Sequence, residues 1–150
     1  MILKATSHDE MSDGIIISFH SKWESLLTNR AVTCVFRKRG PRNMTPSWIY
    51  VYVGTPTKAI IGRLPIQKME FLPLNECIRH SAKGAITKDD LSKYASGYAE
   101  LFVFTVAEYQ AAKTAVELEY LKERYAYSPP QNFLVLSKQG KQALDELCGF

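Results

Sequence analysis

Lys58 closes a Gly54-Thr55-Pro56-Thr57 turn, a setting in which backbone N–H groups can be left unpaired beside an ammonium. Such a nest of donors with a cation at its edge suits a phosphate or another oxyanion. Tyr52 precedes the turn and offers either a face on which a base stacks or a hydroxyl that moves a proton. The plainer alternative is that Lys58 is a solubilising charge at a strand end. Ser128 stands ahead of Pro129 and Pro130, so rigid neighbours place its hydroxyl, and Gln131 is positioned to read a base edge. A serine nucleophile needs an activating base within hydrogen-bond reach. No His or Asp adjoins Ser128, which therefore reads first as a binding or turn residue. Lys58, Tyr52 and Ser128 are the candidate catalytic residues, with lysine stabilising the charge on a reacting phosphate.

The cations form a second constellation. Between Glu24 and Glu70 there is no acidic residue, while Arg30, Arg37, Lys38, Arg39, Arg42, Lys58, Arg63 and Lys68 place eight positive charges. The whole chain has 19 bases and 15 acids, so the remainder is net negative. A segment of this kind attracts polyanions and gains from the counterions they release. Its plainer reading is a solvated face. Trp48, Tyr50 and Tyr52 follow, and single-stranded nucleic acid is held by cationic grooves with flat rings. The three share one strand parity, so core packing is the expected fate of at least two. Arg37 and Arg39 share one parity and Lys38 the other, so one set alone is expected to face a cleft. Arg30 falls at a helix end and is expected to complement its dipole. The nucleic-acid-binding set is therefore Arg37, Lys38, Arg39, Arg42, Tyr52, Lys58, Arg63 and Gln131. All eight cations are expected around one hollow.

Metal chemistry has no local support, because Cys34, Cys77 and Cys148 and the three histidines are scattered. No metal site is assigned and no cofactor expected; a divalent metal enters only if the chain is a nuclease. The odd, distant cysteines suggest a reducing compartment. No secretory signal and no apolar run of membrane-spanning length is visible, so a cytoplasmic location without membrane contact is expected. Composition is ordinary for a globular chain, with 46% hydrophobic and 23% charged residues, which argues against disorder.

Positioning these side chains falls to alternating strands and short helices. Residues 1–13 are polar and read as a loose or lightly docked arm, leaving 14–150 as a single domain that includes a C-terminal helix. Strands are expected over 15–19, 32–36, 48–53, 58–66, 98–109 and 133–136. Pro65 is expected to fray the fourth, or to place it at an edge. Ser21 and Glu24 form a capping box for a helix to Leu27, and Thr87 and Asp90 a similar start. Helix is expected within 73–96, over 117–124 and over 137–147. Glu100 and Glu108 share a strand face; a buried Glu100 would suit acid–base work, a rim salt bridge being the plainer role. Strands with helices inserted at two points imply an α+β fold built on a mixed sheet or small barrel.

The order of these motifs resembles the ASCH domains of the PUA-like superfamily, from about Gly14 to Leu136. The matching parts are the 15–19 strand, the Leu26-Leu27-Thr28-Asn29 helix end, Phe36-Arg37-Lys38-Arg39, and Ile49-Tyr50-Val51-Tyr52. The turn into Lys58 and Gly62, Gly97-Tyr98-Ala99 and Ser128-Pro129-Pro130-Gln131-Asn132-Phe133 complete them. The resemblance implies a small mixed β-barrel with short helices capping its openings, and a cleft lipped by the basic strand and the Lys58 turn. It also implies RNA binding or processing. One branch of similar domains contains acetylcytidine amidohydrolases. The lysine that branch requires falls here on Ala31 or Val32, and its threonine on Cys34 or Val35, with Thr33 just off register. Its acid has no clear match near 83–86.

The leading expectation is an RNA-binding domain, the RNA being single-stranded. A ribonuclease with Lys58 and Tyr52 at the scissile phosphate is the alternative. An amidohydrolase, or a module for an acidic protein partner, stands behind both.

Overall fold

The computed structural model describes residues 2–150. Seven strands form one mixed sheet whose path runs β2-β5-β4-β3-β1-β7, with β6 also pairing β4. The first strand, β1 (Met11–Phe19), carries the Ile15-Ile16-Ile17 run and buries all three side chains. It lies parallel to β3 (Trp48–Val53) and antiparallel to β7 (Leu134–Ser137). On the other side of β3 comes β4 (Ala59–Pro73), whose first half also pairs β6 (Gln110–Glu117). The second half of β4 pairs β5 (Glu100–Val106), which pairs β2 (Cys34–Arg37). Mixed α+β architecture with short helices is thus as expected. The described ladder is not closed, however: β2 and β7 end its path, so the sheet is not hydrogen-bonded into a complete barrel.

Pro65 does not end β4. It lies where the strand passes from β3 to β5: Pro65 still pairs Trp48, and Ile66 already faces Val106. The missing N–H costs little there, because Ile66 donates to the Ser47 carbonyl and Ala107 to that of Pro65. Handing over between partners lets one strand of 15 residues tie the two halves of the molecule together.

The helices are short: α1 (Glu24–Thr28), α2 (Leu74–Arg79), α3 (Lys88–Tyr94), α4 (Leu118–Tyr125) and α5 (Lys138–Cys148). Thr87 caps α3 by accepting from Asp90 N–H at 3.1 Å, as its spacing suggested. The Ser21–Glu24 box does not form. His20 Nδ1 accepts from Lys22 N–H at 3.0 Å, a single turn of 3-10 helix precedes α1, and Glu24 turns to accept the Thr57 hydroxyl. Within residues 2–13, Leu3 is buried, its carbonyl accepts from Ser137, and Ala5 donates to Val135. Burying a leucine is worth about 1.5–3 kcal/mol, enough to hold this segment against β7.

Candidate nucleic-acid interface

Because β1 and β3 run parallel, their C-terminal ends emerge side by side. Ser18 is in register with Tyr52 and Phe19 with Val53, and Gly54 N–H donates to the Phe19 carbonyl at 3.0 Å. The Gly54–Lys58 turn then leads into β4. Lys58 is exposed, with φ of 47°. Its N–H is spent on the Gly54 carbonyl at 3.2 Å, so the turn is not an open nest at that residue. The Lys58 carbonyl accepts from Leu118, the first residue of α4. That helix carries the chain round to Tyr127, whose ring packs on Tyr52 with centroids 5.9 Å apart. Ser128 and Gln131 follow on the exposed segment, which Ser18 tethers by donating its hydroxyl to the Pro130 carbonyl at 3.0 Å. Tyr52, Lys58 and Ser128 thus belong to neighbouring pieces of one end of the sheet, although 76 residues separate Tyr52 from Ser128.

Tyr52 cannot stack on a base there. It is 3% exposed, with Tyr127 against it, so what it can offer is its hydroxyl. Burial pushes that phenol above its ordinary range. The Tyr127 phenol is raised further by burial, and its oxygen is buried without a hydrogen-bond partner.

The cations do not gather around one hollow. Arg30 is paired with Glu108 at 3.7 Å and Lys68 with Glu70 at 3.1 Å. Arg63 is sandwiched between Trp48 and Phe150, 3.8 and 4.1 Å from the ring centroids, and its guanidinium reaches Gln110 and Asp145. Arg42 lies over Phe71, at 4.6 Å. Lys38 rests on Tyr94 and Tyr98, at 4.8 and 5.3 Å. Arg39 is exposed. The strand-parity argument for Arg37, Lys38 and Arg39 lapses because β2 ends at Arg37. Glu100, the acid–base candidate, is exposed rather than buried.

Arg37 is half-buried and turns towards a cavity of about 340 Å³ under α1 and α3, with Phe19, Trp23, Cys34, Asp90 and Tyr94 among its walls. Its N–H groups donate to the Phe36 and Ser18 carbonyls at 2.9 and 3.3 Å, and burial lowers its pKa. A broader depression of about 770 Å³ includes Ser128 and Gln131. Trp23, Asp90 and Tyr94 were not singled out in the sequence as site residues. They come from two helices some 70 residues apart, and no local spacing marks them. Of the two positions on which the amidohydrolase lysine falls, Ala31 is exposed and Val32 is buried, and neither supplies an ammonium. No cluster of three or more His, Cys, Asp or Glu suited to a metal occurs among the described residues. No described helix is long and apolar enough to cross a membrane.

No family model matches the chain. Among curated proteins it is similar to an ASCH domain-containing ribonuclease of Zymomonas mobilis, with 24% identity over 134 residues, covering 88% of this chain and 90% of that protein. The crystal structure of ASCH from Zymomonas mobilis superposes with a TM-score of 0.82 at 23% identity, covering 90% and 95% of the two chains. The N-terminal domain of Staphylothermus marinus McrB gives 0.62 at 11% identity, covering 91% and 94%.

Proposed function

From the premise that the chain has the ASCH fold, we propose that it binds single-stranded RNA and cleaves it where β1 and β3 end, with Lys58, Tyr52 and Ser128 around the phosphate. The observation that carries this reading is their convergence at one end of the sheet, with an exposed ammonium that forms no ion pair among the described residues. The similarity over nearly the whole chain to a protein named a ribonuclease supports it. Lys58 stabilises the charge that builds on the phosphoryl oxygens. Tyr52 donates its phenolic hydrogen bond to an oxygen of the reacting phosphate. Ser128 supplies a further hydrogen bond, and Gln131 reads the adjoining base. Exposed Arg39, together with Lys38 and Arg42 on their rings, provides the longer-range attraction for the strand.

The test is cleavage of a labelled single-stranded RNA. Lys58→Ala is expected to lower the rate by at least a hundredfold with an unchanged circular dichroism spectrum and melting point. Cleavage surviving in that variant would remove Lys58 from the reaction. Binding without cleavage by the unaltered chain would leave an RNA-binding domain alone. Affinity for RNA should fall steeply between 50 and 200 mM salt, on the order of 10-fold or more for a few phosphate contacts; salt-insensitive binding would favour an acidic protein partner.

A further inference from the structure

The cavity under α1 and α3 takes no part in the cleavage just described, and its chemistry differs from that of the Lys58 end. Arg37 is the half-buried cation on its wall. Among the described residues no carboxylate stands within ion-pairing distance of its guanidinium. A guanidinium carries five N–H donors, and two carbonyls, of Phe36 and Ser18, use only part of that set. Its central carbon lies over the Phe19 ring, 4.8 Å from the centroid, a contact that adds attraction but no counter-charge. The lowered pKa of Arg37, caused by burial, is what a cation held without an anion shows. Asp90 is the carboxylate on the wall, but it is exposed and unpaired with Arg37, while Lys22 and His20 also line the cavity. Half-buried Trp23 and Tyr94 add flat rings. A volume of about 340 Å³ lies at the small end of ligand sites, which span roughly 300–1,000 Å³. That is room for one nucleotide and not for a run of them.

We infer that this cavity holds a single ribonucleotide, its phosphate on Arg37 and its base against Trp23 or Tyr94. The choice of a nucleotide rests on the RNA reading above; the need for an anion does not. Ser18 joins the two places, since its carbonyl accepts from Arg37 and its hydroxyl donates to Pro130 beside the Ser128 segment. The ligand is either a free mononucleotide or the phosphorylated end of a strand.

Trp23 reports on the cavity in a Trp48→Phe background, the chain having two tryptophans. Titration with a nucleoside 5′-monophosphate is expected to quench it with at least tenfold higher affinity than the matching nucleoside or inorganic phosphate. Arg37→Gln keeps an N–H donor and loses the charge. It is expected to weaken the monophosphate at least tenfold and shift the melting point little. Equal affinity for the nucleoside, or unaltered affinity in Arg37→Gln, overturns the inference. Should Arg37→Gln fail to fold, monophosphate binding to Trp23→Leu and to Tyr94→Leu is measured by calorimetry; at least one must weaken it threefold, and an affinity unchanged in both overturns the inference equally. Competition by a 5′-phosphorylated trinucleotide assigns the site to strand ends; competition by mononucleotide alone assigns it to the free ligand. Lys58→Ala should retain monophosphate binding while losing RNA cleavage, so failure of the cleavage reading and failure of this one are told apart.

Discussion

Two arginines of the basic segment show how the same side chain serves different ends. Arg63 was expected on a nucleic-acid surface, yet Trp48, Phe150, Gln110 and Asp145 occupy its faces and its donors. Its partner Asp145 also accepts the Tyr50 hydroxyl and pairs with Lys141 at 3.1 Å. With side chains 15% and 23% exposed, the Arg63–Asp145 pair sits between a surface and a buried bridge. Removing one partner leaves the other charge partly buried, so Asp145→Ala should cost about 2–3 kcal/mol in denaturant unfolding. Arg63→Ala should likewise lower stability while leaving RNA affinity within about twofold, a comparison that nitrocellulose-filter binding can make. A large loss of affinity with unchanged stability would return Arg63 to the interface. Arg37, by contrast, gives two N–H groups to the Phe36 and Ser18 carbonyls and keeps the rest for the cavity it lines.

At the scale of elements, β4 does the most to organise the molecule and was the most incompletely read. Its proline marked a break in the pattern, but the break is a change of partner and not an end. Strand β6 carried no strand signal at all: Gln110-Ala111-Ala112-Lys113-Thr114-Ala115 is closer to helical than to strand composition. It is a strand because β4 offers an unpaired edge and because Val116 and Tyr109 drop into opposite core clusters at its ends. Gly62 sits where the two meet. A Cβ there would run into the Tyr109 ring and the Gln110 carbonyl, neither of which is a flexible side-chain end. Gly62→Ala should therefore destabilise by about 1–3 kcal/mol, measured by the thermal midpoint; an unchanged midpoint would mean that β6 is not held as described. The cap of α3 makes a smaller and cleaner case. Thr87→Ala should cost about 1 kcal/mol, the worth of one capped N–H.

For the whole molecule, buried phenols and thiols set the response to alkali. Burial raises the Tyr109 phenol to about 12 and the Cys148 thiol to about 11, and pushes Tyr50 and Tyr127 higher still. In the unfolded chain tyrosine ionises near 10 and cysteine near 8.5. The folded state thus keeps protons that the unfolded state has already released, and stability falls as pH rises through that window. The melting point should be nearly level up to about pH 8.5 and decline from there to about pH 12. Part of the 295 nm tyrosinate signal should appear only together with unfolding. A melting point that rises above pH 9 would contradict the buried, neutral state of these groups.

Apolar runs placed β3 and β7 to within a residue, and β1 except for its first four residues, because alternation or a bulky apolar stretch reports burial wherever a strand packs on its own account. Cap chemistry located α3 for the same local reason. The candidate trio of Lys58, Tyr52 and Ser128 could be named from a turn, an adjoining strand and a proline pair, each visible within a few residues. What each of the three faces was not visible: Tyr52 lost its stacking surface to Tyr127, which only the path of α4 brings there. Neither could the fate of the eight cations be read from their clustering, since a charge's partner is chosen by whichever distant element packs beside it. Charge and pattern are properties of neighbours along the chain. Enclosure, pairing and the Arg37 cavity are properties of neighbours in space, and the fold alone decides them.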